Sequence, residues 1–466
     1  MGEGAPARRS ASSKGVEGRR RVVTTALVSL ATFAEVADEQ ITPSLFMHIG
    51  ATFGLSPSQL GLLTLSRALV QAFTSPFAGY LSTFVPRMNI IGGGCILWGI
   101  CTFVVGSATS FEMALVFSAI NGCGLAVVIP SVQSVLADYY PAEVRGASFG
   151  FMGFVSALGG VLGGIYATNL GGKVIMGRSG WRFVFHSTGI VSILLGFLVM
   201  IFGHDPSVEK RPSPQGTRGR LKEYFRTIWH VMSISSFRII IAQGIFGTVP
   251  WNALSYMTLW FQLLGFSDWQ SSLMRAVFAM GQSCGNLLGG ILGDIASQLF
   301  PDSGRVLIAQ TSVASGLPLS ILLLRGLPQS NAIDLVPWYT LALAVMGLSV
   351  SWSASACNAP VFADIVPPEM RTAIYAFDRS FEGSIGAFGT PIVGYIAQHG
   401  FGMTLRDAYS HHGKSLKDAK ALSDALLVML LYPWSVCLFF YFLLHIYYKR
   451  DKLKAKAFHG YSALSD

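Results

Sequence analysis

Long apolar runs in this chain contain a few ionisable side chains, and any chemistry is expected there. Glu35 and Asp38 occupy one run, with Glu39 at its mouth; Arg67 and Arg275 each occupy another, and Asp378, Arg379 and Glu382 share a fourth. A charged group at mid-helix in a bilayer costs about 3 kcal/mol or more, so each needs a partner, water or a solute. On a helix Glu35 shares a face with Asp38 and Glu39, three and four residues on, and Glu382 faces the same way as Asp378 and Arg379. Acids and arginines in such places can exchange protons, pair permanently or hold an anion. No nucleophile stands beside a base at readable spacing, and no glycine-rich loop ends in a phosphate-binding lysine, which argues against an enzyme or an ATP-driven pump. The six cysteines show no C-x-x-C spacing, and the adjacent His411 and His412 cannot easily face one ion, so neither metal nor cofactor is expected.

The elements that must hold these groups are membrane helices. With 466 residues, 52% hydrophobic and 12% charged, the chain has more apolar side chain than a soluble protein could bury. Twelve runs are long enough to cross about 30 Å of hydrocarbon. They are Val22–Phe46 (helix 1, interrupted by AEVADEQ), Gln59–Phe84, Ile90–Ser107, Met113–Ala137, Ala147–Asn169 and Arg182–Gly203 (helices 2 to 6). Phe237–Leu264, Gln270–Leu292, Arg305–Leu324, Pro337–Val361, Thr372–Ala397 and Leu422–Tyr447 follow as helices 7 to 12, and Gln398–Ala421 reads as a solvated cap. With a rise of about 1.5 Å per residue, Glu35 and Arg67 lie about 10 and about 12 Å below the outer surface and can pair. Such a pair either merely makes insertion tolerable or opens when Glu35 takes a proton. Glu382 lies about 15 Å deep, able to pair internally with Arg379 or to act. Arg275, about 8 Å from the outer end of helix 8, can bind an anionic head group or snorkel to the surface.

The net charge of +9 could suggest nucleic acid, but its distribution does not. Of the 33 Lys and Arg, 22 fall in the termini and one set of loops, 8 in the other set and 3 within helices. That asymmetry predicts both termini and the central linker in the cytosol, with membrane lipids as partners of the basic ends and no nucleic acid. The expected organisation is a disordered terminus 1–21, a six-helix half 22–203, a linker 204–236, a second half 237–448 and a tail 449–466. Two repeats support the halves. ADYYPAEVR at Ala137–Arg145 returns 226 residues later as ADIVPPEMR at Ala363–Arg371, and GLSPSQ at Gly54–Gln59 returns 211 residues later as GFSDWQ at Gly265–Gln270. The fold class is therefore all-α integral membrane, twelve helices in two pseudo-symmetric halves, which is a transporter architecture.

Gly290-Ile-Leu-Gly-Asp294 followed by Gly304-Arg305 resembles the signature loop of the major facilitator superfamily, and in the first half Thr83 stands where its acid belongs while Arg87 remains. Gly160 replaces the proline of that family's antiporter motif, and Ser118 stands where an arginine linked to proton coupling is often found. Ala37-Asp38-Glu39, Asn121-Gly122, Pro250-Trp251, Ser303-Gly304-Arg305, Val350-Ser351-Trp352 and Ser380-Phe381-Glu382 resemble a plant and algal branch, reminiscent of spinster-type transporters. The resemblance implies gating loops containing Arg87, Arg145, Asp294, Arg305 and Arg371, and a cavity lined by Asn121, Gln243, Trp251, Asn252, Arg275 and Trp352. Coupling and ion pairing fall to Glu35, Asp38, Arg67, Asp378, Arg379 and Glu382. A monomeric secondary transporter is expected in the plasma membrane or an endolysosomal or vacuolar membrane, moving a small organic solute with protons. Lipid-like cargo is the first alternative. A non-transporting receptor or scaffold is the second.

Overall fold

The structure is a computed structural model that describes residues 11–81, 85–140, 142–206, 234–330, 333–365, 380–410 and 414–462. Apolar composition dictates helices, because in hydrocarbon each backbone polar group must be satisfied within its own segment. Among the described residues seven helices are long and apolar enough to cross a membrane by length and composition alone. The remaining spans carry more charge or breaks, or run into undescribed residues.

Helix 1 runs unbroken through AEVADEQ as Ala11–Ser44, correcting the expected interruption there. Its acids find room in the packing without disturbing the backbone. The break comes after Pro43, and the chain continues as a separate short helix, Phe46–Phe53. Helix 1 also starts ahead of Val22, in the segment expected to be disordered, since a helix need not stop where the bilayer does. Helices 2, 3, 5 and 6 are Pro57–Leu81, Arg87–Ser107, Ala142–Gly171 and Gly180–Phe202, with a two-stranded hairpin (Val174–Ile175 with Arg178–Ser179) before helix 6. Helix 4 is broken at Val127 into Phe111–Ala126 and Val128–Tyr139. Helix 7 passes through a tight turn after Pro250, Ser235–Ala253 to Met257–Leu264. Helices 8 and 9 are Asp268–Leu299 and Gly304–Ile321. Helix 10, Val336–Val350, resumes beyond Trp352 as a π turn, Ala354–Asn358, and Ala359–Ile365. Helix 11 includes Gly389–Tyr395, and helix 12 is Leu416–Ser462. Helices 1, 4, 7 and 10 all bend or break part-way, which membrane helices tolerate where neighbouring protein satisfies the freed backbone groups.

The GLSPSQ/GFSDWQ repeat has a local physical purpose. Gly54 and Gly265 end their helices at φ 64° and 95°, a left-handed conformation that costs a residue with a β-carbon. Two residues on, Ser56 and Ser267 cap helices 2 and 8: the Gln59 and Gln270 amide N–H groups donate to the serine Oγ, and each glutamine Oε1 accepts from the serine N–H. The other repeat works likewise. Asp138 and Asp364 close the matching ends of helices 4 and 10, Asp138 by accepting from Arg87 at 2.6 Å and Asp364 by accepting from Tyr448 Oη at 2.5 Å.

Packing follows the same symmetry. Helix 1 lies on 5, 2 on 4 and 3 on 6; correspondingly 7 lies on 11, 8 on 10 and 9 on 12. Small residues permit the close approaches: a β-carbon on Gly159 would meet Phe33 O at 2.4 Å, and one on Gly289 would meet Trp352 Cα at 2.5 Å. The halves touch through helix 2 on 11 and helix 5 on 8. One buried cluster spans both halves around Leu45, Phe46, Tyr256 and Phe261, at the face opposite the chain's ends. A second, around Val28, Met88, Leu136 and Val199, stays within the first half on the terminal face. At the opposite face Tyr256 Oη donates to Pro57 O, Ser58 Oγ to Gln398 Oε1 at 2.9 Å and Tyr409 Oη to Leu55 O at 2.9 Å, closing that end. The segment read as a solvated cap belongs to this closure: Met403, Leu405 and Ala408 are buried in the core, and helix 12 begins at Leu416 rather than Leu422.

Candidate functional site

Between the halves lies a cavity of about 400 Å³. Helices 1 and 5 line one side with Val36, Gln40, Val161 and Thr168; helices 7, 8 and 10 line the other with residues that include Trp251, Arg275, Asn286 and Ser353. Every helix that contributes does so beside a break or a small residue, which is how polar side chains reach a midplane space without their backbones unfolding.

Of the six side chains expected to line it, Trp251 and Arg275 do. The other four are turned into the packing. Asn121 donates to Asp38 Oδ2 at 3.2 Å and Thr102 Oγ1 at 2.9 Å. Gln243 Oε1 accepts from Cys437 Sγ at 3.4 Å, and Asn252 donates to Thr248 O at 3.2 Å. Trp352 donates to Leu348 O at 2.6 Å, its backbone against Gly289. The expectation treated a polar residue on the right helix as facing the cavity, whereas one turn of helix contains both cavity and packing faces. Gln40, Gln282 and Asn286 went unnoticed; their signal was an uncharged amide inside an apolar helix.

The helix 1 acids divide sharply. Asp38 is 6% exposed and satisfied: Thr102 Oγ1 donates to its Oδ1 at 2.8 Å and Asn121 to its Oδ2. Glu35 is 1% exposed, and its Oε2 has no hydrogen-bond partner. Arg67, matched by depth to Glu35, makes its ion pair one turn higher, to Glu39 at 3.9 Å, and its Nε has no hydrogen-bond partner. Depth alone does not separate two acids four residues apart on one face, and the guanidinium takes the one nearer the sealed face.

On helix 11, Asp378 and Arg379 lie outside the described residues, as do Arg371 and the Arg145 side chain. Glu382 is not at the cavity; its carboxylate fills the space a β-carbon on Gly244 of helix 7 would need. Arg275 lines the cavity with its Nη1 buried and without a hydrogen-bond partner, its Cζ 5.4 Å from the Phe278 ring centre.

The pairs expected in gating loops lie on the terminal face. Arg305 donates to Asp294 at 2.7 Å and to Ala356 O at 3.3 Å. The first-half copy, decayed in sequence, is fully built in space from other elements. Arg87 donates to Asp205 Oδ1 through Nε (3.1 Å) and Nη2 (2.6 Å), to Asp138 Oδ2 at 2.6 Å and to Ser134 Oγ at 2.7 Å. Asp205, at the end of helix 6, was missed because it sits at the edge of the polar linker. No group of three or more metal-ligating side chains occurs among the described residues.

The model of the Major Facilitator Superfamily matches residues 27–391. Quinolone resistance protein NorA of Staphylococcus aureus is 31% identical over 153 residues, 33% of this chain and 38% of NorA, so the match spans well under half of the curated relatives' length. A bacterial homologue of the human lysosomal transporter Spinster, solved inward-facing and unoccupied, is similar with a TM-score of 0.78 at 20% identity, over 93% of this chain and 98% of that one. The D-xylose-proton symporter is similar with a TM-score of 0.63 at 15% identity, over 88% of this chain and 97% of that one. At these identities the two structures show the fold.

Proposed function

Because this chain belongs to the Major Facilitator Superfamily and is a secondary transporter, we propose that it carries a small organic solute through its central cavity and is driven by protons taken up on helix 1. The observation that carries this reading is Glu35, buried to 1% with an unpartnered Oε2, one residue from the cavity-lining Val36, while its neighbour Asp38 is fully hydrogen-bonded. A proton on Glu35 removes a charge that its surroundings do not compensate, so occupancy of that proton biases how helix 1 sits against the rest of the half. The D-xylose-proton symporter, a protein of the same fold, supports proton coupling as a class. The resemblance to the spinster type and to its plant and algal branch, a cytosolic terminal face, a monomer and a plasma or endolysosomal membrane complete the proposal.

A second reading keeps the fold and moves lipid-like cargo. It rests on the resemblance of the sequence motifs to the spinster type. Lipid export that ignores a pH gradient would support it.

The test of coupling is Glu35→Gln in liposomes, which fixes the neutral form. Solute exchange between two equal pools should survive, and uphill accumulation driven by a proton gradient should disappear. If the variant still concentrates solute as well as wild type, coupling lies elsewhere and passes to Asp38 or Glu382.

A further inference from the structure

The cavity's lining is chemically lopsided. Helix 8 presents Ser272, Arg275, Ala279, Gln282 and Asn286 to it, spaced three or four residues apart, so one stripe of the helix faces inward. From Arg275 to Asn286 that stripe runs about 16 Å. Across from it, helix 5 offers Ala157, Gly160, Val161, Gly164 and Ile165, small or apolar. Trp251 adds an aromatic wall, its ring 6.2 Å from Trp434 and 6.4 Å from Phe278 and so fixed in orientation.

Among the described residues Arg275 is the charged residue of this lining, and no Asp or Glu lines the cavity with it. A guanidinium has five donors and stays protonated. A buried guanidinium with no counter-charge among the described lining residues is costly inside a membrane protein. An anion arriving in the cavity recovers that energy; a cation is repelled. Apart from Ala279 the remaining stripe offers a hydroxyl and two amides, which an acyl chain would leave unsatisfied and a hydroxylated body would satisfy. The volume, about 400 Å³, is near the small end of the roughly 300–1,000 Å³ range of small-molecule sites.

We propose that the cavity binds a small hydroxylated organic anion, its carboxylate or phosphate held by Arg275 and its hydroxyls by Gln282, Asn286 and Gln40, with a flat face against Trp251. This deepens the transport reading and rests on it for the cavity's purpose, but equilibrium binding tests it without any gradient. Failure of proton coupling therefore leaves this result unchanged.

Purified full-length protein is titrated with gluconate, glucose 6-phosphate, glucose and an 18-carbon lysophosphatidate, and its thermal midpoint and binding isotherm are recorded. Gluconate or glucose 6-phosphate should bind at least tenfold more tightly than glucose. Arg275→Gln should lose at least tenfold affinity for the anion while keeping its affinity for glucose. The unliganded Arg275→Gln protein should melt no earlier than wild type, since it loses an unpaired buried charge. Arg275→Lys should recover part of the affinity. Equal binding of glucose and gluconate, unchanged anion affinity in Arg275→Gln, no binding by either hydroxylated anion, or binding of the lysophosphatidate alone would each overturn the proposal, the last in favour of lipid cargo.

Discussion

Arg87 and Arg305 begin helices 3 and 9 at equivalent places, yet their ion pairs differ in burial, and burial decides what each is worth. The Asp205 side chain is 2% exposed and accepts from Arg87 through both carboxylate oxygens, one of them to the Arg87 backbone N–H at 2.9 Å. Asp294 is 68% exposed. Arg87→Ala strands a buried carboxylate and should destabilise by about 3–5 kcal/mol. Asp294→Asn removes a solvated pair and should cost about 0–1 kcal/mol. Thermal unfolding of the two variants checks the contrast, and similar losses would show that burial is not the cause. Asp294→Asn should instead change turnover with little change in solute affinity, as a group that favours one state of a cycle does. The sequence made Asp294 and Arg305 legible because both stand in one short stretch, on the facing ends of helices 8 and 9. It hid the Arg87 cluster because Asp138, Ser134 and Asp205 come from other elements, and Thr83 at the acid's place looked like decay.

Hydropathy counts apolar residues and is blind to a break that keeps them. The twelve runs were therefore readable, and the interruptions were not: Pro43 and Pro250 mark two of them, but Val127 and the Ser351-Trp352 turn have no sequence signal that separates them from a straight helix. The reverse error at AEVADEQ has the same root, since polar residues are compatible with an unbroken helix once partners such as Thr102 and Asn121 exist. The short helix Phe46–Phe53 makes an element-scale prediction. Helix 1 from Val22 to Ser44 already spans about 33 Å, so His48 lies beyond the hydrocarbon, at the closed face. A β-carbon on Gly172 would lie 3.0 Å from His48 Cε1 and 3.4 Å from Asp268 Oδ2, so an imidazole of the first half and a carboxylate of the second share one small space. Burial holds the His48 pKa below its ordinary value, and the nearby Asp268 opposes this more weakly. The closed face thus prefers neutral histidine and binds fewer protons than the opened, hydrated one. Its stability is fully present above about pH 6.5, the ordinary histidine value, and is lost as the pH falls from there through the lowered pKa of the closed face. Acid should widen the distance between spin labels on helices 2 and 11 at that face, and His48→Gln should abolish the pH dependence. A response in the variant equal to wild type would remove His48 from the gate.

At the scale of the molecule, the duplication read from two short repeats predicts which helices touch within each half, and the contacts obey it. It does not predict which ends of the halves meet, because both states of a rocking pair use the same sequence. Here the opposite face is sealed by Tyr256, Tyr409 and Gln398 of the second half against helix 2 and the chain leading into it, and by Asn169 donating to Ser272 at 2.9 Å. Which compartment that face meets follows from charge. With 22 of 33 basic residues on the terminal side, translocating that side would carry an unfavourable excess of positive charge across the membrane. This charge distribution supports our proposal that the terminal face is cytosolic and the sealed face points away from it. Cysteines introduced singly as Ser12→Cys and Lys417→Cys, the latter an exposed residue at the start of helix 12, report the orientation with an impermeant thiol reagent on intact cells. Wild type supplies the background for the native thiols. For protein at the cell surface Lys417→Cys should label and Ser12→Cys should label only after permeabilisation. The opposite pattern would invert the molecule, and with it the side from which Arg275 receives its anion.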